Sequence, residues 1–229
     1  MGTLIFGLAG VLSFLTGVAL ELDWLCFVSK PIPIIALLLW LRRAPSGPYR
    51  RWITIGLLLS LLGDMLLEWP ADLFVFGLGA FLLAHLAYLC AYLQQSGQLA
   101  PVALLVAAGC GGGIFALLAS GGLGGLLIPV ACYALAISAM LWRALARLGA
   151  GVERKSAMLA AGGAALFVLS DSLIGINRFV SPFDGASYSI ILSYWLGQFG
   201  IAASVVAFST AVPSSKNPSA PSREIGYSN

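Results

Sequence analysis

Charge is what this chain has least of. Only 9% of its 229 residues are Asp, Glu, Lys or Arg, against 60% that are hydrophobic. A typical soluble domain is about one quarter charged, so an ordinary water-soluble protein is excluded. The net charge of +3 is spread thinly over connecting segments, and no basic tract is interleaved with aromatics, which removes nucleic-acid binding. Histidine occurs once, as His85. Cys26, Cys90, Cys110 and Cys132 stand singly in apolar runs, without the close spacing of a metal or redox motif. No metal site and no cofactor is expected. A glycine-rich nucleotide loop and a nucleophile elbow are both missing, and the glycines at 109–113 and 121–122 read as close helix packing or loops. The first residues lack the positive stretch of a signal peptide, so the first apolar run is expected to remain as a helix.

What is present is apolar sequence in long runs, near 4–20, 24–41, 52–68, 73–93, 99–119, 125–142, 157–177 and 188–209. A hydrocarbon layer of about 30 Å needs about 20 apolar residues per helical crossing. The expected fold is therefore all-α: an integral membrane bundle of eight transmembrane helices over residues 1–212, followed by a disordered Ser/Pro-rich cytoplasmic tail at 213–229. The arginine-rich breaks follow the second and sixth runs and share one side with both termini. That side holds ten of the twelve Lys and Arg residues, which predicts that it is cytoplasmic. A faint repeat links Gly63-Asp64-Met65-Leu66-Leu67 with Ser170-Asp171-Ser172-Leu173-Ile174, each followed in the next run by a tyrosine, Tyr88 or Tyr194. A four-plus-four parallel duplication would place both aspartates at one depth; chance similarity of two Asp-Leu-rich helices is the competing explanation.

Ionisable side chains inside apolar spans cost a few kcal/mol or more each, so Lys30, Asp64, Glu68, His85 and Asp171 require a reason. Helical spacing puts Ser60, Asp64 and Glu68 on one face of span three, and Phe81, His85, Tyr88 and Tyr92 on one face of span four. Ser170, Asp171, Asn177 and Arg178 gather toward the end of span seven, and Tyr194 and Gln198 share a face of span eight. At 1.5 Å per residue, Lys30, Asp64, Asp171 and Tyr194 fall roughly 7–10 Å below the non-cytoplasmic surface, with His85 near the midplane. A shared depth predicts one pocket. The bland alternatives are a buried ion pair that locks helices, a histidine satisfied by a hydrogen bond, tyrosines that fill space, and a Glu68 solvated at the interface.

In order along the chain, Lys30-Pro31, Gly63-Asp64-x-x-Leu67, residues 76–81 with Ala84-His85-x-x-Tyr88, Phe167-x-x-Ser170-Asp171, Asn177-Arg178-Phe179 and Tyr194-x-x-x-Gln198 resemble the YhhN-like lysoplasmalogenase family. The resemblance implies a multi-pass hydrolase, in a bacterial inner membrane, that needs no cofactor. Its substrate would be a lysophospholipid with an sn-1 vinyl ether, cleaved by water to a fatty aldehyde and glycerophosphoethanolamine or glycerophosphocholine. Vinyl ethers hydrolyse by slow protonation of the β-carbon, and the oxocarbenium ion that follows is captured by water. Two carboxyl groups suit this chemistry, one as acid and one to stabilise the cation and activate water. On this reading Asp64 and Asp171 form the acid/base pair, in an order the sequence leaves open. Lys30 holds one of them ionised or contacts phosphate, while His85, Tyr88, Asn177, Tyr194 and Gln198 orient substrate and water. The rival reading is a small proton-coupled transporter or lipid-binding protein using the same Lys30, Asp64 and Asp171.

Overall fold

The computed structural model describes residues 2–211; the expected tail at 213–229 lies outside the described residues. Helices follow one another as α1 (Gly2–Ala19), α2 (Asp23–Ser29), α3 (Ile32–Leu41), α4 (Pro48–Leu67), α5 (Phe74–Leu93), α6 (Pro101–Ser120), α7 (Leu127–Ala146), α8 (Arg154–Phe179) and α9 (Ala186–Ala211). Short 3-10 turns flank α7, and there is no strand among the described residues. Each apolar run of the sequence has become one helix, with a single exception. The second run is split into α2 and α3 at Lys30-Pro31, because Pro31 and Pro33 lack the N–H groups that would continue the helical ladder.

The other boundaries have local causes too. Pro48 and Pro101 open α4 and α6, where a missing N–H costs nothing. Glu153 caps α8: its carboxylate accepts from the backbone N–H groups of Lys155 and Ser156 at 2.9 and 2.5 Å, and these bonds hold it below the ordinary carboxylate range.

Among the described residues seven stretches are long and apolar enough to cross a membrane: Gly2–Ala19, Asp23–Leu41, Phe74–Leu93, Pro101–Ser120, Gly124–Gly149, Arg154–Phe179 and Ala186–Phe208. Helix α4 is the eighth rod but falls short on composition, because every 18-residue stretch within it contains Arg50, Arg51 and Asp64. Neighbours in the chain pair as antiparallel hairpins, α1 with α2 and α3, α4 with α5, α6 with α7, and α8 with α9. A four-plus-four duplication would give this pairing, and so would any up-and-down bundle. Helices α8 and α9 approach closely through glycine: a Cβ at Gly163 would stand 2.7 Å from the Gly197 carbonyl oxygen and from the Ile201 nitrogen.

One difference from the sequence reading concerns the arginines after the sixth run. Arg143 and Arg147, expected in a loop, are buried side chains, because α7 continues to Ala146. Arg147 donates to Tyr49 Oη and Ser156 Oγ, both at 2.9 Å, and its guanidinium lies 4.8 Å above the Tyr49 ring and 5.3 Å above that of Tyr92. Tyr49 Oη in turn pairs with Ser204 Oγ at 2.6 Å. Arg143 donates to the Ser96 and Gln98 carbonyls of the α5–α6 connection. Helices α4, α5, α7, α8 and α9 therefore meet on polar contacts at the arginine-rich end.

Candidate active site

The opposite end carries the acidic groups. Asp64 lies on the buried face of α4, one turn after Ser60, and its Oδ2 accepts a hydrogen bond from Tyr194 Oη of α9 at 2.7 Å. Tyr88 of α5 donates to Gln198 Oε1 at 2.8 Å and meets Ser60 Oγ at 3.3 Å. Its position depends on a glycine across the helix contact: a Cβ at Gly56 would fall 2.2 Å from the Tyr88 ring. Ser60, Asp64, Tyr88, Tyr194 and Gln198 thus form one polar group shared by α4, α5 and α9.

Asp171 belongs to a second group. Its Oδ2 accepts from Tyr133 Oη of α7 and stands 3.5 Å from His85 Nε2 of α5. The His85 ring packs edge-on against Tyr133 at 5.2 Å and against Phe167 at 4.7 Å. Phe167 also packs on Tyr194 at 5.4 Å, and Phe81 on Tyr194 at 5.8 Å, so aromatic rings stand between the two polar groups. Both carboxyls are enclosed by rings and hydroxyls, and among the described residues no lysine or arginine is in direct contact with either. Enclosure of this kind strengthens any charge interaction that develops inside the site.

Lys30 sits at the α2–α3 break and makes its ion pair with Glu68 at 2.6 Å. The direct partner of the lysine is therefore the glutamate, which terminates α4, and neither aspartate. Asn177 Oδ1 accepts from the Phe183 backbone N–H at 3.3 Å, which orders the turn before α9. Arg178 reaches exposed Asp72 at 3.4 Å and covers the Phe74 ring at 3.8 Å. Glu21, Asp23, Lys30, Glu68, Asn177 and Arg178 line an open basin of about 730 Å³ at this end of the bundle. Instead of a single pocket, the predicted residues occupy three neighbouring places: Asp64 with Tyr88, Tyr194 and Gln198; Asp171 with His85; and the basin with Lys30 and Asn177. Among the described residues no group of three or more His, Cys, Asp and Glu side chains could hold a metal ion.

Sequence reasoning missed Tyr133. The signal was available, since Tyr133 follows Val130 and precedes Ile137 on the buried stripe of α7, and a hydroxyl on such a stripe needs a partner. The Arg147 cluster was missed because its charges were assigned to a loop.

Comparison with known proteins adds a second line of observation. The model of the YhhN family matches residues 25–205. The human protein named lysoplasmalogenase TMEM86B is 34% identical over 188 residues, which cover 81% of this chain and 77% of that protein. The human lysoplasmalogenase TMEM86A is likewise 34% identical, over 80% of this chain and 79% of its own. A lysoplasmalogenase of Mycobacterium tuberculosis (strain CDC 1551 / Oshkosh) is 40% identical over 172 residues, covering 69% of this chain, which spans 62% of the mycobacterial protein's length. No solved structure matches the chain.

Proposed function

The chain belongs to the YhhN family, and from that premise we propose that it is a lysoplasmalogenase, hydrolysing the sn-1 vinyl ether of a lysophospholipid within the membrane. The observation that carries the reading is the pair of enclosed carboxyls, Asp64 and Asp171, each held by a tyrosine hydroxyl beside a basin whose Lys30 and Arg178, set among Glu21, Asp23 and Glu68, suit a zwitterionic head group. Transfer of a proton to the β-carbon creates an oxocarbenium ion. A carboxylate nearby stabilises that cation and takes a proton from the attacking water. The hemiacetal then collapses, releasing fatty aldehyde and the glycerophosphoalcohol, so that one water is consumed per bond broken.

In this scheme Asp64 and Asp171 share the acid and base roles. Tyr194 and Tyr88, with Gln198, fix the Asp64 side of the site, and His85 borders Asp171. Lys30 and Asn177 belong to the basin that receives the polar end of the substrate. The eighth crossing is α4, whose Arg50 and Arg51 sit at one end and leave an apolar middle. Both termini face the cytoplasm, in a bacterial inner membrane, because the arginine-rich connections lie on their side of the bundle. The experiment is aldehyde release from a lysoplasmalogen by purified protein. Asp64→Asn and Asp171→Asn should each abolish nearly all turnover while the protein stays folded; near-native turnover in either would remove that carboxyl from the chemistry.

A further inference from the structure

Four cavities in this bundle share walls in sequence. The basin shares Leu67, Phe74 and Ile174 with a cavity of about 60 Å³. That cavity shares Leu118, Val130, Tyr133 and Asp171 with another of about 50 Å³. The latter shares Gly111, Phe115 and Ala134 with a groove of about 530 Å³ between α6 and α7. Chemical character changes along this line. The basin is ringed by charge, and the groove is walled by Leu104, Ala107, Gly112, Leu135 and Trp142. Asp171 lines both narrow cavities in the middle, whereas Asp64 lines none of the four.

Resting on the lysoplasmalogenase reading, we propose that this line is the seat of the substrate. The phosphate head lies in the basin, the vinyl ether lies against Asp171 in the neck, the hydrocarbon chain lies in the α6–α7 groove, and Asp171 donates the proton. The basin sets Lys30 and Arg178 among the carboxylates of Glu21, Asp23 and Glu68, which suits a zwitterionic head, phosphate toward the cations and ammonium toward the carboxylates, and the groove suits its hydrocarbon chain. From Asp171 to Arg178 is about 10 Å along α8, and from Phe115 to Leu104 is about 16 Å along α6, which gives separate room for a head and for a long chain. The other apolar groove, about 310 Å³ between α1, α3 and α9, shares no lining residue with the basin or with either cavity at Asp171, which makes it the less suited of the two to hold a chain whose ether lies at that carboxyl. In the chemical step the Asp171 O–H bond breaks as a C–H bond forms at the β-carbon. Water adds to the oxocarbenium carbon and gives up one proton, which restores Asp171; the hemiacetal then collapses as its hydroxyl proton passes to the departing glycerol oxygen. Asp64, the second carboxyl of the pair, lines none of these cavities and is held by Tyr194 behind the aromatic rings, so it supports the cation through space.

Two affinity labels on the full-length protein test this without requiring turnover. A non-cleavable alkyl-ether lysophospholipid with a diazirine at its chain end should crosslink within 104–115 and 131–142. Labelling of 4–11 and 192–199, or of neither pair, overturns the groove assignment. A second analogue with the diazirine beside the sn-1 ether oxygen should crosslink within 168–175, next to Asp171. Crosslinks within 60–67, next to Asp64, or at neither, overturn the choice of Asp171. Gly112→Trp fills the groove at a position where an added Cβ meets nothing within 4 Å. It should raise KM at least tenfold more for a long-chain than for a short-chain lysoplasmalogen; an equal effect on the two, or none, overturns the groove. Crosslinks in the groove without cleavage of any lysoplasmalogen would sink the activity reading alone, and cleavage with crosslinks elsewhere would sink this inference alone.

Discussion

Tyr133→Phe separates the chemistry of Asp171 from its packing. The substitution deletes one oxygen, the donor to Asp171 Oδ2, and keeps the ring that stacks edge-on against His85 at 5.2 Å. The hydrogen bond fixes which carboxyl oxygen is occupied and which is free to face the substrate, so its loss lets the carboxyl rotate away from the reacting carbon. A hydrogen bond to a carboxyl that becomes charged as it gives up its proton contributes about 1.5–3 kcal/mol. At 1.36 kcal/mol per decade that converts to a fall of about 10- to 150-fold in kcat. Because Tyr133 acts through Asp171 and not on the head group, KM should change less than threefold. The assay is steady-state aldehyde release in detergent micelles at fixed lipid mole fraction, with thermal unfolding run in parallel to establish that the variant folds. A Tyr133→Phe protein with wild-type kcat, or one whose entire defect lies in KM, would refute the claim that this hydroxyl positions the proton donor.

Other outcomes follow from the same structure. In heavy water the released aldehyde, trapped rapidly and weighed by mass spectrometry, should carry one deuterium on the carbon next to the carbonyl; undeuterated aldehyde would eliminate carbon protonation. Gly163→Ala places a methyl 2.7 Å from backbone atoms of α9 and should destabilise the fold by about 1–3 kcal/mol, read as a lowered Tm. An unchanged Tm would mean that α8 and α9 are not in such close contact. Ser46→Cys, in a background without the native cysteines, should resist an impermeant thiol reagent in intact cells, and ready labelling would invert the proposed orientation.

The sequence announced the rods better than their neighbours. Apolar runs bounded by charge, proline and glycine marked each helix to within a few residues, since helix length and side-chain hydrophobicity are local properties. Burial of Asp64, His85, Tyr88, Tyr194 and Gln198 was equally readable, because each shares a helical face with other polar groups. Pairing was not readable. Depth alone put Lys30 beside the aspartates, but the break at Pro31 directs its ammonium to Glu68. Equal depth also suggested one pocket, yet Phe81 and Phe167 stand between the Asp64 and Asp171 groups, and no periodicity encodes what lies across a helix interface. Tyr133 and Arg147 show the same limit: a single polar side chain on an apolar stripe declares that it has a partner without naming it.

The guanidinium of Arg147 has a mechanical consequence. Arg147 ties α7 to α4, α5 and α8, the Tyr49–Ser204 bond adds α9, and Arg143 ties down the connection that leads into α6. At the other end the ion pairs that join the helices, Lys30 with Glu68 and Arg178 with Asp72, are partly open to solvent, so the dry guanidinium clamp makes the arginine-rich end the firmer of the two.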